Sequence, residues 1–215
     1  MPVFLLATIL IVVVAALALL VVRGTNMVTE TNATWKIAAT ALGFTFQPKT
    51  GLFRNYSMAG EACDFRFKVN IYKCIREDLI PYTKFTAWFP HSLELGLQMT
   101  GVRFGFIGHI IQPAPLFKLV GVRDIEVGDP DFDNAFLIQG INEACVRTFL
   151  TPERQTHLMS ALRSMEGVMV SDTEVSCMTR GVIRDTESLI AQTRQLTELA
   201  ALLTDFGIDH HERPC

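Results

Sequence analysis

From Val3 to Val22 the chain presents no polar side chain except Thr8. Fifteen of these twenty residues are Val, Leu, Ile or Phe and four are Ala. As a helix rising ~1.5 Å per residue the run is about 30 Å long, the thickness of a bilayer's hydrocarbon core. No face of it is polar, so it does not read as the amphipathic helix of a globular core. A cleaved leader would carry a positive N-terminal region, a shorter apolar stretch and a small-residue site after it. Here Ala16-Leu17-Ala18 lies inside the run, and no charged residue precedes Arg23. The pattern predicts a transmembrane helix over 2–22.

The pattern then changes. Residues 23–33 are polar and read as a tether, with Thr31 or Asn32 capping a helix over about 33–42 whose core side carries Trp35, Ala38, Ala39 and Leu42. A β-rich part follows over 44–123. Its clearest strand is 64–72, where Phe65, Phe67, Val69 and Ile71 alternate with Arg66, Lys68 and Asn70, as in a sheet packed on one face only. A partner strand over 54–59 joins it around Gly60, and further strands are expected over 83–89 and 93–99, with Pro90 between them. Residues 101–115 are apolar and rich in Gly and Pro.

Over 124–206 the pattern reads β-α-α-β-β-α. Strands are expected at 124–127 and 135–139 with a turn at 129–134 between them, then a short helix over 142–150. Thr151-Pro152 opens a second helix that buries Leu158, Leu162 and Met165. Strands at 168–171 and 174–179 flank an Asp172-Thr173 turn. The last helix, about 185–205, carries the stripe Leu189, Ile190, Leu196, Leu199, Ala200, Leu203 and Phe206, stopped by Gly207. The fold class is α+β: an N-terminal transmembrane helix, then one domain over 34–207 with an antiparallel sheet and a long C-terminal amphipathic helix, then a polar tail over 208–215.

Charge adds two points. Arg23, Lys36 and Lys49 follow the apolar run and nothing charged precedes it, which favours an N-out arrangement with the domain in the cytoplasm. With 19 basic against 22 acidic residues, the balance argues against nucleic acid as a partner. The bilayer is the expected partner through residues 2–22, with a further membrane protein as a second. Asn32-Ala33-Thr34 and Asn55-Tyr56-Ser57 match the glycosylation tripeptide, which matters only in a eukaryotic secretory path.

The run from Phe132 to Leu162, followed by residues 168–177, resembles a bacterial membrane-anchored family of unknown function. The residues that carry the likeness are Phe132, Phe136, Gly140, Leu150, Thr151 and Pro152. A looser match is the strand at Tyr82-Thr83-Lys84. The resemblance implies a fold and a membrane address and brings no assigned activity. The family often has two hydrophobic segments where this chain has one.

Candidate chemistry is sparse. Asp129, Asp131 and Asp133 copy the first three ligand positions of a calcium loop, but Asn134 stands where Gly is needed and Gly140 where the bidentate Glu belongs. With Asp124 and Glu126 they read instead as turn residues bonding backbone N–H groups. His91, His109 and His157 have no second ligand at helical or strand spacing, and only the tail pair His210-His211 has Glu212 and Cys215 nearby. The odd set Cys63, Cys74, Cys145, Cys177 and Cys215 lacks any CxxC spacing and reads as buried thiols. No G-x-S-x-G is present, and the glycines at 101, 105 and 108 lack a phosphate-loop spacing. The sequence therefore assigns no catalytic, cofactor or metal residue. It favours a membrane-tethered, non-enzymatic module that binds a protein or membrane component. The alternatives are a hydrolase whose Cys or Asp residues assemble only in the fold, and a lipid-contacting domain using Phe104, Phe106, Ile107 and Ile110.

Overall fold

The computed structural model describes residues 2–49, 55–73, 81–101, 124–165 and 167–205. One helix, α1 (Pro2–Leu42), runs without a break from the start of the apolar run into the domain. The expected tether over 23–33 is part of this helix. Thr31 is not a cap but a buried mid-helix residue whose hydroxyl donates to the Met27 carbonyl at 2.8 Å. Asn32, inside the first glycosylation tripeptide, accepts from the Lys49 backbone N–H at 3.1 Å. A polar helix surface costs nothing where water can reach it, so polarity alone did not break the helix.

Among the described residues no helix is long and apolar enough to cross a membrane. Of the predicted span over 2–22, the side chains of 2–11, 17 and 20–22 lie outside the described residues.

The domain is α+β, as the alternation implied. Among the described residues its sheet has eight strands, all paired antiparallel: β1 (Thr45–Gln47), β2 (Ser57–Ala62), β3 (Phe65–Lys73), β4 (Pro81–Trp88), β5 (Gln98–Gly101), β6 (Phe136–Gln139), β7 (Gly167–Ser171) and β8 (Glu174–Arg180). Across the sheet they lie in the order β1-β2-β3-β4-β8-β7-β5-β6. The other helices among the described residues are α2 (Pro130–Ala135), α3 (Glu143–Phe149), α4 (Pro152–Ser164) and α5 (Thr186–Thr204).

One face of the sheet is the core. Phe65, Phe67, Val69 and Ile71 of β3, Phe85 and Ala87 of β4, and Val175 and Cys177 of β8 are buried there. α1 packs on β1, β2 and α5; α5 packs on β4 and β8; α4 lies against β7 and α5. Trp35, Ala38 and Ala39 are buried apolar residues of α1, as its spacing predicted, and Leu189, Leu196, Leu199, Ala200 and Leu203 of α5, while the expected Leu42 and Ile190 are partly buried. Phe206, Gly207 and the tail lie outside the described residues.

Three expectations change. The β2–β3 turn is Cys63-Asp64, with φ of 49° and 66°, the double left-handed geometry of a two-residue hairpin, and not Gly60. Gly60 sits inside β2, where a Cβ would collide with the Phe44 ring. Residues 93–97 do not form the expected strand. Their N–H groups turn to Asp172, and Glu94 and Gly96 take left-handed φ values of 58° and 61°. The turn expected at 129–134 is largely a helix, α2, capped by Asp129, while 124–127 is not a strand; Ile125 alone donates to the Ile138 carbonyl.

Candidate functional site

The sheet face opposite the helices is the polar one. Cross-strand register lines up Glu61, Arg66, Trp88 and Glu174 in one row, and Ala59, Lys68, Thr86 and Ser176 in the next. A shallow cavity of about 440 Å³ opens at its β1–β4 end, lined by Thr45, Ala59, Gly60, Glu61, Arg66, Phe67, Lys68 and Trp88. Arg66 lies over the Trp88 ring with its guanidinium carbon 5.9 Å from the centroid. Two rows on, Lys84 pairs with Glu174 at 3.7 Å. The lining has cations, one carboxylate and an aromatic ring, which suits binding. Among the described residues its lining holds no Ser, Cys or His beside a base.

Deeper in the same face, the Ser176 hydroxyl is buried and has no hydrogen-bond partner among the described residues. It lies between Thr86 and Met169 in register, and its two chain neighbours, Val175 and Cys177, face the core. No local pattern marks it, because an isolated Ser in an apolar strand looks like any other wet position.

The acidic run is consumed by the backbone around it. Asp129 caps α2 by accepting from Asp131 and Phe132 N–H at 2.9 and 3.2 Å. Asp133 accepts from Val127 and Gly128, and Asp124 from Ile138. Asp129 and Asp133 close local turns, as the sequence reading expected, whereas Asp124 reaches Ile138 of β6, fourteen residues away. Among the described residues no three His, Cys, Asp or Glu side chains gather as a metal set would.

Asp172 is the carboxylate that sequence reasoning missed. It accepts from the N–H groups of Leu95, Gly96 and Leu97 at 3.3, 2.8 and 2.8 Å, pinning the 89–97 segment to the β7–β8 turn. Arg154 is the missed cation. It is 8% exposed, and its guanidinium donates to the carbonyls of Phe149, Leu202 and Asp205 while stacking 4.4 Å from the Phe149 ring. A buried cation at the C-terminal ends of α3 and α5 satisfies carbonyls that no helix bond reaches and complements both helix dipoles. Burial pushes its pKa down, and Asp205 and then Glu153 oppose that shift.

The remaining candidates separate. His91 and His157 are both exposed, and neither hydrogen-bonds to a thiol or carboxylate among the described residues. His109 and the tail pair His210-His211 lie outside them. Cys177 is fully buried, and burial pushes its thiol far up, with Lys84 opposing, so it is inert. Cys63 is a free, exposed thiol at the β2–β3 hairpin tip. Cys145 corrects the reading of five packed thiols: it is disulfide-bonded. The 101–115 stretch, with Phe104, Phe106, Ile107 and Ile110, lies beyond Gly101 outside the described residues.

The residues that carried the family resemblance prove to be packing and capping positions. Phe132 and Phe136 stack with centroids 4.8 Å apart. A Cβ on Gly140 would meet Val146 and Ile125, and the Thr151 hydroxyl accepts from Arg154 N–H.

No family model and no curated protein matches the chain. Among solved structures, it is similar to the crystal structure of the mycobacterial trehalose monomycolate transport factor A, TtfA, with a TM-score of 0.51 and 11% sequence identity. That likeness covers 81% of this chain and 94% of that one, and it shows a shared fold.

Proposed function

We propose that this chain is a membrane-tethered, non-enzymatic module that binds a protein or a membrane component, with the N-terminal half of α1 as its single span. The observation that carries the reading is the contrast along α1. Val12, Val13, Val14 and Leu19 are 48–70% exposed, whereas Trp35 and Ala38 of the same helix are wholly buried. Large apolar side chains projecting from a domain on an unbroken helix need an apolar environment, and the composition of residues 3–22 matches a bilayer core in length and greasiness. The likeness to a transport factor carries the fold and no activity. The case against an enzyme is chemical: the cavity on the open sheet face offers cations and an indole but no activated nucleophile. Confinement at a bilayer raises the effective concentration of any other membrane protein, so such a module functions with weak contacts.

The test is fractionation of the full chain. It should stay in the membrane pellet through alkaline carbonate, and deletion of residues 1–23 should release it into the supernatant. Recovery of the intact, unprocessed chain in the aqueous fraction would falsify the reading. A single nucleophile probe that labels the protein at a Cys or Ser and stops a hydrolytic turnover would favour the hydrolase.

The side of the membrane follows from a second measurement. We place the domain in the cytoplasm, on the strength of Arg23 after the span and no charge before it. The Cys145 disulfide is the observation that opposes this, because such bonds persist in oxidising compartments. Exposed Cys63 reports directly: a membrane-impermeant maleimide should label it only after cells are opened. Labelling in intact cells reverses the orientation.

A further inference from the structure

We propose that the end of the domain where α1 enters faces anionic lipid headgroups and selects them electrostatically. The inference rests on α1 being the membrane anchor and goes beyond it by naming the surface and the lipid chemistry.

The geometry begins with the unbroken helix. From Val22, the last residue of the apolar run, to Asn32 is about 15 Å of helix rise. The headgroup layer takes up roughly 5–8 Å of that, since a bilayer is ~30 Å of hydrocarbon within ~40–45 Å in all. The level of Asn32 therefore lies about 7–10 Å beyond the headgroups, within one Debye length at 0.1 M salt, which is ~10 Å. Three contacts fix what else sits at this level. The Lys49 N–H donates to Asn32, the Thr34 hydroxyl reaches the Arg184 carbonyl at 3.5 Å, and the Trp35 indole donates to the Ile183 carbonyl at 2.9 Å. Ile183 is tied in turn to β4, because its N–H donates to the Thr83 hydroxyl. The end of the sheet carrying Tyr72, Tyr82 and the β8 terminus thus points towards the bilayer, and half-buried tyrosines suit that interface.

The two ends of the domain differ in charge. Among the described residues the α1-entry end carries Arg23, Lys36, Lys49, Lys73, Arg180 and Arg184 against Glu30, Asp185 and Glu187, and the Asp185 carboxylate is held by the first turn of α5 through the Ser188 N–H at 2.7 Å. The opposite end, with the Cys63-Asp64 and Asp172-Thr173 turns, carries Glu61, Asp64, Glu94, Asp172 and Glu174 against Arg66. An anionic membrane surface attracts the first end and repels the second, so the field holds the domain upright on its stiff helix.

The experiment is lipid competition on the full chain in mixed micelles of phosphatidylcholine and phosphatidylglycerol, reading the co-purified lipid by mass spectrometry. Wild type should retain phosphatidylglycerol preferentially at 0.1 M salt and lose that preference at 1 M, where the Debye length is ~3 Å. The Lys49→Gln/Arg184→Gln variant should lower the preference about fivefold for each charge removed. Lys49→Arg/Arg184→Lys keeps the charges and should keep the preference, which separates charge from misfolding. Arg147→Gln, in the last turn of α3 beside the C-terminal end of α5, should leave it unchanged. Equal retention of both lipids by wild type, or an unaltered preference in the Gln variant, overturns the inference while a carbonate-resistant chain leaves the anchor standing. A chain that carbonate extracts removes the anchor itself.

Discussion

Both halves of α1 carry apolar side chains, and these meet opposite fates. Val12, Val13, Val14 and Leu19 project away from the domain, while further along the helix Thr31, Trp35, Ala38 and Ala39 are sealed under α5 and the first strands. Helix propensity does not distinguish them, since one continuous helix contains both. What differs is the surroundings: the second half finds β1, β2 and α5 within reach, while among the described residues nothing covers Val12, Val13, Val14 or Leu19. Hydrophobicity says that a residue avoids water, and only the tertiary arrangement says what replaces the water.

The contrast is sharpest where the packed half is emptied. Trp35→Ala should destabilise the domain by about 3–5 kcal/mol, because it leaves a large cavity beside Tyr56 and strands the Ile183 carbonyl. Thermal unfolding of the full chain in detergent should show a large fall in Tm with the protein still in the membrane fraction. If the chain leaves the membrane instead, the two halves are one cooperative unit.

A charge in the free half should do the reverse. Val13→Lys puts a cation near the middle of the apolar run, a change of roughly 3 kcal/mol on the insertion scale. Membrane recovery should fall while the unfolding midpoint of the domain stays where it was. An equal loss of domain stability would show that Val13 packs against the fold.

A smaller effect is expected at Asp185, the cap that follows the α1-bonded residues Ile183 and Arg184. Its bonds from Ser188, side chain first and then backbone N–H, hold its carboxyl below the usual carboxylate range. A depressed folded pKa means a contribution present above the unfolded value of about 3.9 and lost as pH falls through the lower folded value. Asp185→Ala should therefore flatten the acid limb of the stability curve below about pH 4 and shift the neutral region slightly downward. An acid limb identical to wild type would show that the cap is not coupled to folding.

The smallest effect belongs to Thr34→Ala. Its bond to the Arg184 carbonyl is long, 3.5 Å, and exposed, so its removal should cost less than about 0.5 kcal/mol in the same unfolding measurement. A larger loss would move the docking of α1 away from Trp35.

Much of the fold was legible because it is local. The alternation of Phe65, Phe67, Val69 and Ile71 marked the core face of β3, Thr151-Pro152 marked the start of α4, and Asp172-Thr173 marked a hairpin. The errors fell where a distant partner intervened. Residues 93–97 have strand-like composition, yet the Asp172 carboxylate takes three of their N–H groups from 75 to 77 positions away. Gly60 looks like a turn residue and is a place where the Phe44 ring crosses a strand. Residues 23–33 look like a linker, and become helix because Thr31 and Trp35 are buried from outside.

Periodicity by itself determined which side chains seek a common face, where helices start, and that a twenty-residue apolar run stands apart from the rest, since each depends on neighbours a turn or two away. Only the tertiary structure decided that this run continues as a rigid helix into the core, that Arg154 closes the ends of α3 and α5, and that the open sheet face carries Arg66, Lys68 and Trp88 side by side. Those juxtapositions bring together residues from strands and helices far apart in sequence. They exist because burying the apolar faces of all the elements at once leaves few arrangements that also satisfy the backbone.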